Sequence, residues 1–324
     1  MIASRQPFSS SPLIFEASRF SHDSPRVLYT SNRGAEGDAG FNMGYHVPDD
    51  PERVRARRHQ VQVLLKRPVA VLKQVHSSRV IDLDDVLSGI PEVMPEGLPG
   101  GITDGDEKNA AALASALEPL GETEADAQVT TRRDIAVGIL TADCTPVLLA
   151  DAYAGVFAGA HAGRRGVENH VVAETIAVMK AKGADPARME VWLGPNICGD
   201  CYETGDEVSQ AFAEACPVPG AATRTRFGGA GVDMRAVLRS QLMEAGVAEG
   251  NLHDDDASIG EQSMKGQSTK SQRAEQPATS TVNYMCTLEN PQLYSYREWT
   301  LTHRPGSNGR FLSILVPPSR KETA

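Results

Sequence analysis

The chain has 324 residues, is 40% hydrophobic and carries a formal net charge of -10. That is enough apolar material for a sizeable core, and the charge leaves no basic footprint for nucleic acid or an anionic membrane. No apolar run reaches the ~18–20 residues of a bilayer-spanning helix and the first residues form no signal-peptide h-region, so the expectation is a cytoplasmic protein acting on a small molecule, with no nucleic-acid or membrane partner.

In chain order, RVLYTS reads as a short strand from Arg26, followed by the glycine-rich loop SNRGAEGDAGFNMG. Asp50 and Pro51 make an N-cap and N1 pair, and Val54, Val61 and Leu65 recur at helical spacing, which predicts a helix through DDPERVRARRHQVQVLLK. VAVLKQVHSSRVIDLD reads as two β-rich runs around HSS, with His76 at the end of a strand where the chain turns. Residues 87–125 are rich in Gly, Pro and acids and read as a polar insertion on the surface, with a short helix over 109–117.

Order resumes in IAVGILTADCTPVLLADAYAGVFAGAHA, which gives β runs on both sides of Cys144, a turn, and a third run ending at His161. In GVENHVVAETIAVMKAKGAD, Val172, Ile176 and Met179 share one helix face and Gly183 suits the C′ position. MEVWL is a further strand, followed by a glycine-bounded turn and helices over 205–215 and through VDMRAVLRSQLMEAGV. Residues 253–280 hold almost no large apolar side chain and are predicted to be a disordered polar insertion. YSYREWTLTHRPGSNGRFLSILV reads as two strands around a loop.

Three apolar segments, KQVH, TADC and AGAH, each end in a metal-ligand type, at His76, Cys144 and His161. Two imidazoles and one thiolate suit zinc with a fourth position left for water or substrate, and a metal would hold the thiol as thiolate. Taken singly, a cysteine among aliphatics also fits a small packing residue and a histidine a loop-satisfied one. The five cysteines form no disulfide framework, which favours reduced thiols. Cys198 and Cys201 form a C-x-x-C, a spacing used in redox and zinc sites. Eight histidines include no H-x-H pair, which argues against a multicopper centre.

The blocks SNRGAEGDAGFNMG, KQVHSSRV, ADAQVT, TADCTPVLLAD, HAGRRG, GPNICGDCYETGDEV, ENPQLYSYRE and GRFLSIL resemble, in order, the signatures of the laccase-domain family, also called polyphenol-oxidase-like, purine nucleoside phosphorylase or peptidoglycan editing factor. The resemblance covers nearly the whole chain apart from the two polar insertions. It implies one layered α/β domain over 1–324, with β-sheets flanked by helices as an α/β/β/α sandwich, and a zinc held by His76, Cys144 and His161, copper being the lesser alternative. It implies phosphorolysis of adenosine, inosine and methylthioadenosine, and deamination of adenosine; the family's other readings are a cysteine or zinc hydrolase editing peptidoglycan precursors and a copper polyphenol oxidase. Around such a metal, Arg33, Asn42, Arg165 and Arg297 are candidates for phosphate or ribose contacts, because phosphate demands donors and arginine offers a fork. Asp143 is a candidate to orient a ligand or cap a turn, and Cys201 to reach the pocket. Two departures stand out. Arg164 replaces the usual tryptophan of H-A-G-W-R-G, and Glu298 the usual second arginine of S-Y-R-R.

Overall fold

Successive residues of a strand face opposite sides of a sheet, and here the central strands are apolar on both sides, which forces a layer against each face. The structure is a computed structural model that describes residues 13–16, 24–31, 40–93, 112–254, 285–303 and 308–319. The strands are β1 (Leu13–Glu16), β2 (Arg26–Ser31), β3 (Val69–Ala70), β4 (Val80–Asp82), β5 (Ala127–Thr130), β6 (Ala136–Thr141), β7 (Thr145–Asp151), β8 (Val156–Ala162), β9 (Glu190–Leu193), β10 (Ala222–Arg224), β11 (Ala230–Val232), β12 (Leu252–His253) and β13 (Phe311–Val316). They form a five-stranded sheet of order β1-β2-β13-β6-β3, a six-stranded sheet of order β12-β9-β7-β8-β5-β4, and a small β10-β11 ribbon. Both larger sheets are mixed, with parallel pairs β3–β6, β4–β5 and β9–β12 among antiparallel neighbours.

Alternation sorts the side chains into three cores. Val27, Tyr29, Val137, Ile139, Leu148, Ala150, Phe157 and Trp192 fill the space between the sheets. The intervening residues Leu28, Leu140, Leu312 and Ile314 turn outward onto Val61 and Leu65 of the helix Pro51–Leu65. On the far side, Val147, Leu149, Ala158 and Ala160 pack under Ile176 and Met179 of the helix Val171–Ala181 and Leu238 of the helix Met234–Glu244. The result is helix, sheet, sheet, helix, the layered α/β sandwich that the sequence blocks imply. Each large apolar side chain buried here contributes roughly 1.5–3 kcal/mol. Gly159 lets the sheets approach, since a Cβ there would meet Val137 Cγ1 at 2.7 Å.

The helix Pro51–Leu65 follows its sequence signals, with Asp50 accepting from the Glu52 N–H and Val54, Val61 and Leu65 buried. Gly183 follows the helix Val171–Ala181 with φ 94°. Two expectations change. His76 lies in the loop between β3 and β4, because the strand ends at Ala70 and the amides of Val75, His76 and Ser77 all turn onto Asp126, a convergence that alternating strand amides cannot make. YREWTLT forms the helix Tyr296–Thr302, started by Ser295, whose hydroxyl accepts from the Glu298 N–H. That S-x-x-E is a capping-box spacing, and it overrides the β-leaning Tyr, Trp and Thr.

Where described, the ends of the 87–125 stretch are anchored. Leu87, Leu113, Leu117 and Leu120 are buried with Leu72 and Leu83, and the short helix spans 112–117. Of the segment 253–280, only His253 and Asp254 fall within the described residues.

Candidate active site

Cys144 sits in the short connection from β6 to β7, where the chain crosses from the five-stranded sheet to the six-stranded one. Asp143, just before it, takes φ 89°, an uncommon conformation for a non-glycine residue. Its buried carboxylate is held by the Thr287 hydroxyl at 2.6 Å and the Arg297 N–H at 2.6 Å. Burial pushes the Asp143 carboxyl up, against these bonds. Asp143 thus fixes the crossing and draws the segment carrying Arg297 onto it.

His161 lies near the end of β8, opposite Pro146 of β7, which brings its ring beside the start of β7. His76 arrives on the 71–79 loop with φ 64°. Gln74 pins that loop by donating to Leu140 O at 2.6 Å and accepting from Leu140 N at 2.8 Å. One donor atom from each of His76, Cys144 and His161 lies within 4.8 Å of the others, a group able to hold a metal ion. Cys144 Sγ is 3.6 Å from His76 Nε2. Gly163 is required beside them, because a Cβ would come within 2.5 Å of His76 Cδ2 and 2.9 Å of Cys144 Sγ.

Asp126 organises the group from beneath. One carboxylate oxygen accepts from His161 Nδ1 at 2.8 Å and from the His76 N–H at 2.9 Å. The other accepts from the Ser77 N–H at 2.6 Å and the Ser77 hydroxyl at 2.7 Å. With Nδ1 turned to the carboxylate, Nε2 of His161 is the nitrogen that faces the site. Burial opposes ionisation of Asp126, but bonds from His161 and Ser77 outweigh it and hold the carboxyl at about 2. Burial likewise opposes a Cys144 thiolate, yet the charge and hydrogen bond of His161, with His76, bring the thiol down to about 6. For His161, burial disfavours the imidazolium, while Cys144 and Asp126 overcome it and raise the ring to about 9. Each shift favours the form that attracts the other, thiolate at Cys144 and imidazolium at His161.

These three side chains line a cavity of about 650 Å³, with Tyr202, Tyr296, Arg297 and Arg310 among its other walls, a size within the range of small-ligand pockets. Arg297 donates to Glu203 O at 2.6 Å and lies over the Tyr202 ring, 5.4 Å from its centroid. Asn42 and Arg165 do not line this cavity. Asn42 is buried, donates to Gly44 O and Asp49, and accepts from the N–H groups of Gly44 and Arg310, so it braces the Arg310 backbone. Arg165 is exposed, Arg164 pairs with Glu168, and Arg33 lies outside the described residues. Cys201 is buried and turned away from the cavity, while its neighbour Tyr202 lines it. Asp126, Arg310 and His46 were not singled out from sequence. Burial first, then Arg310 and Arg58, lower His46 to about 4. ADAQVT and GRFLSIL carried the first two as motif residues without indicating what they touch.

Fold and site define a layered α/β protein with an open His–Cys–His group in a cavity. The chain belongs to the multi-copper polyphenol oxidoreductase laccase family, whose model matches residues 29–317. It is 31% identical over 299 residues to a purine nucleoside phosphorylase of Corynebacterium glutamicum, covering 90% of this chain and 94% of that protein. It is 34% identical over 228 residues to an adenosine deaminase from an unknown prokaryotic organism, covering 68% and 77%. The crystal structure of a Neisseria meningitidis protein superposes with a TM-score of 0.64 at 27% identity, covering 94% of this chain and 99% of that one.

Proposed function

We propose that this chain is a zinc-dependent purine nucleoside enzyme. It phosphorolyses adenosine, inosine and methylthioadenosine to free base and ribose or methylthioribose 1-phosphate, and deaminates adenosine to inosine. The observation that carries the reading is the His76, Cys144 and His161 group opening into a cavity walled by arginines and tyrosines; the relatives' names support it. The donor set fits zinc. Metal–ligand bonds of about 2.0–2.3 Å place tetrahedral donor atoms roughly 3.3–3.8 Å apart, and the Cys144–His76 separation is 3.6 Å. Two imidazoles and a thiolate, in a chain without an H-x-H pair, give no basis for a multicopper cluster. Zinc held there would supply a Lewis acid with one open coordination position.

The chain's own groups do the positioning. Asp126 fixes the His161 tautomer and the His76 backbone, so both side chains are pre-positioned to hold the metal. Arg297 and Arg310 put guanidinium groups on the cavity wall, where they would hold phosphate against the ribose C1′. Tyr202 and Tyr296 give aromatic surface for a base or ribose.

The test is phosphate dependence. Inosine yields hypoxanthine and ribose 1-phosphate only with phosphate present, whereas adenosine yields inosine without it. Arg297→Ala is expected to depress phosphorolysis more than deamination. Equal loss of both would remove Arg297 as the phosphate donor.

One observation favours a second reading. Cys144, His161 and Asp126 are aligned as nucleophile, base and orienting carboxylate, which suits a cysteine hydrolase acting on peptidoglycan precursors. Absence of any phosphate-dependent product, with turnover of such precursors, would select it.

A further inference from the structure

We propose that Cys198, Cys201, Cys286 and Glu289 form a second metal site, a closed structural centre for a thiolate-preferring divalent cation such as zinc. Their donor atoms all lie within 4.8 Å of one another, and none of the four lines the cavity. The proposal does not rest on the nucleoside reading.

The local geometry is two matched turns. Cys198-Gly-Asp-Cys201 closes with the Cys201 N–H on Cys198 O at 3.0 Å and the Tyr202 N–H on the same oxygen at 2.9 Å. Cys286-Thr-Leu-Glu289 repeats it, with the Glu289 N–H on Cys286 O at 3.1 Å and the Asn290 N–H at 2.9 Å. Each turn therefore presents donors at i and i+3, the C-x-x-C spacing of structural zinc sites, with glutamate in the last place. A parallel bridge between Asn196 and Cys286 sets the turns face to face through Asn196 N to Met285 O and Thr287 N to Asn196 O, both 3.0 Å.

The surroundings fit a closed site. Cys201 and Cys286 are fully buried, while Cys198 and Glu289 are half-buried. Three thiols around one carboxylate have little packing rationale, because three aliphatic residues would fill that volume without polar atoms. The separations suit a single ion, for which tetrahedral sulfurs at about 2.3 Å from the metal stand about 3.8 Å apart. Four anionic donors around a divalent ion leave a net charge near -2, and Arg226, which pairs with Glu289, offsets part of it. The centre would tie the exit of β9 to the segment that carries Thr287 and Arg297. It would thereby hold Tyr202 and Arg297 in the cavity wall without touching substrate.

The test uses full-length Cys144→Ser protein, in which the open group has lost its sulfur. Its zinc is counted by mass spectrometry, and the metal is then exchanged for cobalt. The expected result is one metal per chain, with thiolate-to-cobalt charge-transfer absorption of the strength given by three thiolates. Cys198, Cys201 and Cys286 should also resist alkylation until a chelator is added. Glu289→Gln, which retains all three thiols, should shift the cobalt visible bands and weaken metal retention against a chelator by about tenfold or more. Folded Cys144→Ser protein that takes up neither metal overturns the proposal, as does a Cys198–Cys201 or Cys198–Cys286 disulfide that persists under reducing conditions with zinc supplied. An unchanged cobalt spectrum in Glu289→Gln overturns the four-donor site.

Discussion

The two donor clusters lie in adjoining parts of the same layered frame and differ in what surrounds them. At His76, Cys144 and His161 the donors are mixed nitrogen and sulfur, one face opens to a cavity, and a buried carboxylate, Asp126, sits behind the ring. At Cys198, Cys201, Cys286 and Glu289 the donors are mainly sulfur, the cavity does not reach them, and the nearby counter-charge is a half-exposed guanidinium, Arg226. The first arrangement opens onto a space that can take a reacting molecule, and the second lies off that space. Openness and the charge behind the donors, more than the presence of cysteine, separate a reactive site from a fastening.

The largest expected effects come from breaking one cluster at a time. Cys144→Ala should lower turnover by at least about a thousandfold, on the scale of losing a group that acts in the chemistry. It should still fold, since the surrounding core is untouched, and lose only the stability that Cys144 adds through His161 or a bound metal. Cys286→Ser should cost turnover less than Cys144→Ala, through looser Tyr202 and Arg297, and lower the melting temperature by several degrees more. Paired melting curves and rates check both; equal destabilisation by the two would erase the distinction. Asp126→Asn comes next. It keeps an acceptor but loses the charge that fixes His161, and metal affinity at the open site should fall by about 10–100-fold, read by chelator competition, with the closed cluster unaffected.

A smaller effect appears with the metal stripped. Burial alone would raise the Cys144 thiol, but His161 and His76 bring it from 9.0 to about 6, and His161 itself rises from 6.5 to about 9. A depressed thiol contributes stability that is lost as pH falls through about 6; a raised imidazole contributes stability lost as pH rises through about 9. The pair should therefore stabilise the stripped protein between those limits. Iodoacetamide should label Cys144 with a midpoint near pH 6, and a midpoint near 9 would mean that the pair does not form.

How much of this the sequence carries depends on range. The helix Pro51–Leu65 was legible because Asp50, Pro51 and the Val54, Val61, Leu65 stripe are local signals. The three donors were legible as types, and the family blocks joined them. Asp126 was not, because its role exists only once β5 meets the 71–79 loop and β8. Residues 296–302 misled because Tyr, Trp and Thr favour strands, while the Ser295 hydroxyl caps the Glu298 N–H and starts a helix. Cys198 and Cys201 showed a zinc spacing, but Cys286 and Glu289 are distant in sequence and reach them only in the fold, through contacts that include the bridge at Asn196 and the Arg226–Glu289 pair.

The smallest predicted effect concerns Arg226. Its ion pair with Glu289 is half-exposed on the arginine side, so by itself the pair is worth at most about 1 kcal/mol. Arg226→Met keeps much of the aliphatic stem and removes the charge, and in metal-free protein the melting temperature should move by no more than about 2–4 °C. With metal bound the same change acts differently. The guanidinium no longer offsets the anionic donors, nor does it orient the Glu289 carboxylate, and metal should be lost to a chelator about tenfold more readily. The open cluster should keep its metal and its pH midpoint, since Arg226 touches none of its residues. A variant with unchanged metal retention would show that Arg226 is only a surface partner of Glu289, and that the charge around the closed cluster is balanced elsewhere.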